Sequence, residues 1–262
     1  MQIRLLDGEV REQEYLLSNM TDDNFYYVEL STDRCLSYSS AKQLIESPKW
    51  FEHKRRKPDP ETQALRDGRL VHAAILEPQK YDSFTFVDTS TKNTKKWKLA
   101  VDQNGKANTF TMKEKYMNDR VVSAFLQNAT MTSFLEGSET EVPAIEMIDG
   151  IPFRGKADIL NREKGFIADV KTMTGKVQDF ADMVDAYDYD LQAYLYTQLF
   201  EVEEFIFLVI SKTTTDLLEA RVTDSMLERG KAKLDYAIDV YRKVFINEEI
   251  DLSQITHQIE LT

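Results

Sequence analysis

Phe153-Arg-Gly-Lys-Ala-Asp158-Ile-Leu-Asn-Arg-Glu-Lys-Gly-Phe-Ile-Ala-Asp169-Val-Lys171-Thr172 sets an aspartate, ten residues, a second aspartate, one spacer and a lysine in a single run. Ile151, Phe153, Ile159 and Leu160 outline a first strand. Residues 161–165 are polar and end on glycine, and Phe166, Ile167, Ala168 and Val170 outline a second strand, so the stretch predicts a β-hairpin. Side chains alternate along a strand, so Asp169 and Lys171, two apart, share a face. Burying an unpaired charge is costly. A metal ion and a phosphate are partners that would satisfy an acid and a lysine on so apolar a strand.

Working outward, residues 141–148 predict another strand, and Asp149-Gly150 is a hairpin turn signal. With the opening stretch this makes a three-stranded antiparallel meander. Downstream, a short helix over 177–184 precedes one over 188–200, whose core face is Leu191, Leu195 and Leu199. Gln192 and Tyr196, four apart, stack on an adjoining face. Residues 203–211 read as a strand that is apolar on both faces, and 217–222 as another. A last helix over 224–245 carries Leu227, Leu234, Ile238, Tyr241 and Phe245. One α/β domain spanning 1–262 follows, with a mixed central sheet flanked by helices and helical additions at the N-terminus.

The first half predicts a short strand at 25–30. A helix follows, capped by Ser39 or Ser40 and ended by Pro48. Next come Trp50 and Phe51 beside a basic run at 53–57, and a stiff break at 58–60. The helix over 61–76 puts Leu65, Gly68, His72, Ile75 and Leu76 on one face. A glycine inside a helix costs roughly 1 kcal/mol, so Gly68 implies a close approach. A lone inward histidine such as His72 is more often a packing residue than a ligand. Pro78 closes this helix. A strand over 81–87, an exposed basic loop over 89–98, a turn at 103–106, a helix over 113–127 and a short connection or strand over 130–136 complete the half.

Hydrophobic residues at 42% and charged residues at 30% suit a soluble globular protein. No apolar run is long enough to span a bilayer, and the first residues show no signal core. Cys35 is the only cysteine, which excludes internal disulfides and cysteine-held iron–sulfur or zinc clusters. A cytoplasmic location is the expectation. A net charge of −12 argues against a general nucleic-acid coat protein. It leaves room for a locally basic groove, and the 53–57 cluster (Arg55, Arg56) and the 92–98 cluster (Lys95, Lys96) read either as grips on a nucleic-acid backbone or as solvated loops.

Two carboxylates with a backbone carbonyl form an oxygen-rich site suited to Mg²⁺ or Mn²⁺, and a lysine beside them can hold a scissile phosphate or help activate water. The spacing alone also arises on surface hairpins. Its companions, in order, are Gly68-Arg-Leu-Val-His72, Asp158, Asp169-Val-Lys171-Thr172 and Gln192-x3-Tyr196. Together they resemble the RecB-like branch of the PD-(D/E)XK nuclease superfamily. With Leu36-Ser-Tyr-Ser-Ser40 and Ser47-Pro48, the resemblance is closer to the exodeoxyribonuclease VIII (RecE-like) family, over residues 36–200.

The resemblance implies a restriction-endonuclease-like core and a Mg²⁺- or Mn²⁺-dependent exodeoxyribonuclease. Such an enzyme would digest linear double-stranded DNA 5′ to 3′ and leave 3′ single-stranded tails for annealing recombination. It implies that Asp158 and Asp169 bind metal with the Val170 carbonyl, that His72 completes the site, and that Lys171 is the catalytic lysine. Glu141 matches a further carboxylate more loosely, and Gln192 and Tyr196 match a motif that faces DNA. It also implies a ring-like homo-oligomer working beside a single-strand annealing protein. Lys156-Ala157 departs from the Arg-Pro pair common before the first aspartate. The alternatives are a RecB-like endonuclease, a single-strand nuclease, or a non-catalytic DNA-binding protein on the same fold.

Overall fold

The computed structural model describes residues 1–57 and 59–256, so the break expected at 58–60 lies partly outside the described residues. The chain enters through an antiparallel pair, β1 (Gln2–Arg4) and β2 (Val10–Glu12), then α1 (Gln13–Asn19). Residues 25–30 are not the expected strand. Phe25–Glu29 is a π-helical turn, with Asp22 accepting from the Phe25 N–H and Leu30 N–H closing onto the Phe25 carbonyl. Phe25 and Tyr26 are buried with Ile3, Leu5, Leu16, Leu30 and Ile145. That burial overrides the strand preference of the Phe-Tyr-Tyr-Val run.

Helix α2 (Tyr38–Glu46) is capped by Ser37, two or three positions before the expected Ser39 or Ser40, in a capping box between Ser37 and Ser40. The basic run is helical: α3 (Pro48–Arg56) is capped by Ser47 with Pro48 in its first turn. Helices α4 (Gln63–Leu76) and α5 (Pro78–Asp82) follow, so only the end of the expected 81–87 strand is extended, as β3 (Thr85–Val87). The expected basic loop likewise gives way to α6 (Lys95–Asn104), capped by Thr94 and anchored by buried Trp97. Strand β4 (Thr109–Thr111) pairs with β3 in parallel and leads into α7 (Met112–Leu126). Most of the stretch 130–136, expected as a connection or strand, falls in the short helix α8 (Ala129–Ser133) and the turn after it.

The central sheet runs β5 (Glu139–Ile148), β6 (Ile151–Asn161), β7 (Phe166–Met173), β8 (Glu204–Ser211), β9 (Leu217–Arg221), in that spatial order. The predicted meander is β5–β6–β7, turning at Asp149-Gly150, where both residues have positive φ as a tight primed hairpin turn needs. Strand β8 returns parallel to β7 after α9 (Phe180–Tyr187) and α10 (Tyr189–Phe200), and α11 (Asp224–Tyr241) follows β9. Alternation along β8 explains its doubly apolar sequence. Phe205, Phe207 and Val209 enter the core under α2, α10 and α11, whereas Ile206, Leu208 and Ile210 enter the opposite core under α4 and α7. No helix among the described residues is long and apolar enough to cross a membrane.

Glu114 ties the α4–α7 side together. It closes a capping box with Thr111 and accepts from Lys92 at 2.7 Å and Gln63 at 2.8 Å. Partial burial pushes its pKa up, but these donors outweigh it and bring the pKa to about 2, against 4.5 ordinarily. A depressed acid stabilises the fold fully above its unfolded pKa, and that stability is lost as pH falls through the folded one. Glu114→Gln keeps the cap and removes the charge. The variant's stability deficit in urea should therefore be largest above pH 4.5 and shrink toward pH 2. A deficit that does not vary with pH would contradict this.

Candidate metal and phosphodiester site

Strands β6 and β7 pair only as far as Ile159 and Ala168. Beyond that point the Asp158 carboxylate replaces the ladder partner, its Oδ2 accepting from the Val170 N–H at 2.8 Å. On the other side of β6 the register places Glu141 opposite Asp158, between the pairs Thr140–Ile159 and Val142–Ala157. Glu141 has φ +53°, a left-handed conformation that a non-glycine residue rarely adopts and that often marks a functional site. Helix α4 brings His72 to the same place, with Nε2 2.7 Å from the Val170 carbonyl and Nδ1 3.5 Å from Asp158 Oδ2. The ligand atoms of His72, Glu141 and Asp158 all lie within 4.8 Å of one another.

The donor chemistry fits a divalent cation. A carbonyl can only accept, so Nε2 carries the proton. In a neutral ring Nδ1 then presents a lone pair to a carboxylate oxygen, an arrangement that calls for a cation between them. The carboxylates behave likewise. Burial, and then the Asp158 charge, push the pKa of Glu141 up to about 7. Burial, and then Asp169, push Asp158 well above the usual range despite Lys171 nearby. Groups that resist ionising together are relieved by a metal ion.

Asp169 and Lys171 do share a face. Lys171 Nζ lies 2.7 Å from Asp169 Oδ2 and 4.9 Å from the centre of the Tyr189 ring. Burial pulls the ammonium pKa down, but Asp169, together with Tyr189 and Asp158, more than offsets it and the pKa is raised, so Lys171 is a cation. Asp169 stands back from the His72–Glu141–Asp158 cluster, because its Oδ1 accepts from Gln192 Nε2 at 2.6 Å. Gln192, expected to face DNA, is thus buried and turned to the sheet. Tyr196 turns the same way: it packs against Gly155, where a Cβ would come within 3.2 Å of its ring, and its hydroxyl is 3.5 Å from the Lys156 N–H.

The outlying basic residues are not brought to the cluster. Arg55 pairs with Glu52 and Asp33, and Arg56 with Glu52. Lys95 and Lys96 are exposed on the first turn of α6. Gly68 does not mark the close approach expected of it, since a Cβ there would meet Thr172 Oγ1 at an ordinary 3.8 Å.

Tyr27, expected only as part of a strand, and Lys156, expected only as a departure from the Arg-Pro pair, also stand at the site. Lys156 Nζ lies 3.9 Å from Glu141 Oε2 and 5.8 Å from the centre of the Tyr27 ring, which is 63% exposed. An aromatic face therefore stands beside the acidic cluster. The Tyr26 carbonyl accepts from Arg154, a long-range contact with no local signal.

Residues 37–252 match the family described as a PDDEXK-like domain of unknown function (DUF3799). The chain belongs to this family. The core of this PDDEXK-like domain is that of the PD-(D/E)XK superfamily, and residues 1–36, including Tyr27, lie outside the match. No curated protein sequence matches the chain. A presumed exonuclease from Eubacterium rectale superposes over 92% of this chain and 96% of its own chain, with TM-score 0.66 at 15% identity, a likeness of fold. A phage-related exonuclease from Haemophilus somnus 129PT covers 82% and 96%, with TM-score 0.34 and 11% identity, too low a score to carry an argument.

Proposed function

We propose that this PDDEXK-like domain is a divalent-metal-dependent exodeoxyribonuclease that hydrolyses linear double-stranded DNA. One observation carries the reading: His72, Glu141 and Asp158 converge beside a lysine that Asp169 keeps charged. His72, through Nδ1, Glu141 and Asp158 would hold Mg²⁺ or Mn²⁺, with Asp169 and the Val170 carbonyl joining only on exchange of their present partners, Gln192 and the His72 Nε2–H. A bound divalent ion neutralises charge developing on the phosphate and makes water a better nucleophile. Lys171, already protonated, donates to a non-bridging phosphate oxygen rather than taking a proton from water. Gln192 positions Asp169, and through it Lys171. Digestion 5′ to 3′, 3′ tails handed to an annealing protein, and a ring-like homo-oligomer belong to this proposal on the strength of the resemblance to RecE-like enzymes.

The test offers linear and covalently closed circular duplex with Mg²⁺, Mn²⁺ or EDTA, using linear DNA labelled separately at each end. Expected are loss of the linear form only, dependence on metal, and early release of the 5′ label. Cutting of closed circles would make the protein an endonuclease. Digestion in EDTA would sink the metal site.

A further inference from the structure

A cavity of about 710 Å³ opens between α4, α7 and the carboxyl ends of the parallel strands β7 and β8. The metal cluster does not use it. Leu70, Val71, Met117 and Val121 supply apolar lining. Lys92, Lys113, Arg120 and Lys212 line it as well, against only Asp67 and Glu114, in a chain of net charge −12. Lys92 pairs with Glu114 and Lys212 with Asp67. Lys113 and Arg120 are exposed and have no carboxylate partner among the described residues. Two cations are thus left for an incoming anion.

Asn118 adds the second observation. It lines the cavity, is 5% exposed, and its Oδ1 has no hydrogen-bond partner. Its orientation is set by its neighbour. The single Tyr81 hydroxyl proton goes to Asp119 Oδ1 at 2.8 Å, so that oxygen can only accept from Asn118 Nδ2, at 3.3 Å. Oδ1 is left without a partner and is closed to solvent in this side-chain orientation. A buried acceptor left unpaired costs about 1–3 kcal/mol, which a ligand N–H would recover by drawing the Asn118 amide round toward the cavity it lines.

Apolar walls, one acceptor for an N–H and two spare cations describe a nucleobase carrying a phosphate, and the volume is ample for one nucleotide. The position agrees, since ligands of α/β sheets gather at the carboxyl ends of parallel strands. Thr174 and Val71 in the lining sit three residues and one residue from Lys171 and His72. We propose that this cavity binds one nucleoside monophosphate unit. It is either the end nucleotide of a bound strand or a released product. The inference rests on the nuclease reading but is tested apart from it.

The experiment is done in EDTA, where no cleavage is possible, by titrating the full chain with 5′-dAMP, deoxyadenosine, deoxyribose 5-phosphate or a short oligo-dA. Met117→Trp fills the cavity from a half-exposed position, and Lys113→Glu/Arg120→Glu reverses its spare charges, so neither disturbs the core. If the site takes free product, dAMP binds more tightly than deoxyadenosine or the sugar phosphate, and each variant weakens it about 10-fold, or about 1.4 kcal/mol. If it takes the strand end, the oligonucleotide alone binds and is weakened to the same extent. Either result supports the nucleotide site. Binding that neither variant changes, or no binding of any of the four, overturns it, whatever the cleavage assay gives.

Discussion

Asp158→Asn should cripple the proposed metal-dependent cleavage and raise the melting temperature of the metal-free protein. The two effects have one cause. Asp158 is half-buried beside Glu141 and Asp169, and desolvation with the Asp169 charge holds its pKa well above the ordinary range. An acid whose pKa is raised on folding favours the fold most when protonated and loses that contribution as pH rises through the folded value. Wherever the carboxylate is ionised it is therefore a strain on the metal-free fold. The amide removes the charge and keeps an oxygen at the Oδ2 position for the Val170 N–H. The cost appears when metal is added. A ligand present at 100 times its Kd stabilises a fold by about 2.7 kcal/mol, worth roughly 5–10 °C in a chain of this size. The variant should lose that gain, and cleavage should fall at least about 100-fold, as when a key electrostatic contact to a transition state is removed. Calorimetry with and without Mg²⁺, beside the cleavage assay, checks both. A variant that still cleaves, or that melts lower without metal, would refute the assignment.

Gly230→Ala destabilises the protein severely although it replaces glycine with the best helix former. In an exposed helix this change stabilises by up to about 1 kcal/mol. Here α11 crosses α10 so closely that a Cβ on residue 230 would lie 2.1 Å from the Asp190 carbonyl oxygen and 2.8 Å from Tyr194 Cβ. The obstacle is helix backbone, which cannot rotate away. The helices must part, loosening Leu191, Leu195 and Leu234 in the main core. Overpacking costs about 1–3 kcal/mol, and more where the backbone must move. A cost of about 3 kcal/mol or more predicts a melting temperature lower by roughly 10 °C, or an insoluble chain. Gly68→Ala, where a Cβ has room, should be neutral or stabilising and serves as the control. Equal melting of Gly230→Ala and the parent would show that the two helices are not so tightly apposed.

Alternation and turn chemistry made the sheet legible, because they are local. The Asp149-Gly150 turn, the 161–165 turn and the apolar runs of β6 to β8 all fold where their patterns place them. Helices built on caps were read less well. Thr94 and Ser47 start helices in stretches whose lysines and arginines look like loops, and one buried side chain in each, Trp97 or Phe51, is enough to dock them. The π turn at Phe25–Glu29 was misread because its aromatics favour strands until Ile145 and Leu16 give them a core.

For the candidate site, spacing alone determined that Asp169 and Lys171 share a face and that Asp158 enters the same hairpin. Strand periodicity requires it whatever the rest of the chain does. Only the tertiary structure decided which groups converge. His72 and Glu141 join Asp158, Gln192 claims Asp169, and Tyr27 arrives from a segment nearly 115 residues before Glu141. These are contacts between elements, fixed by which faces the two cores bury, and no local pattern encodes the distance between residues that meet only after the sheet and helices have packed. Gly230 shows the same limit: a weak helix position in the sequence becomes, against α10, the one residue that fits.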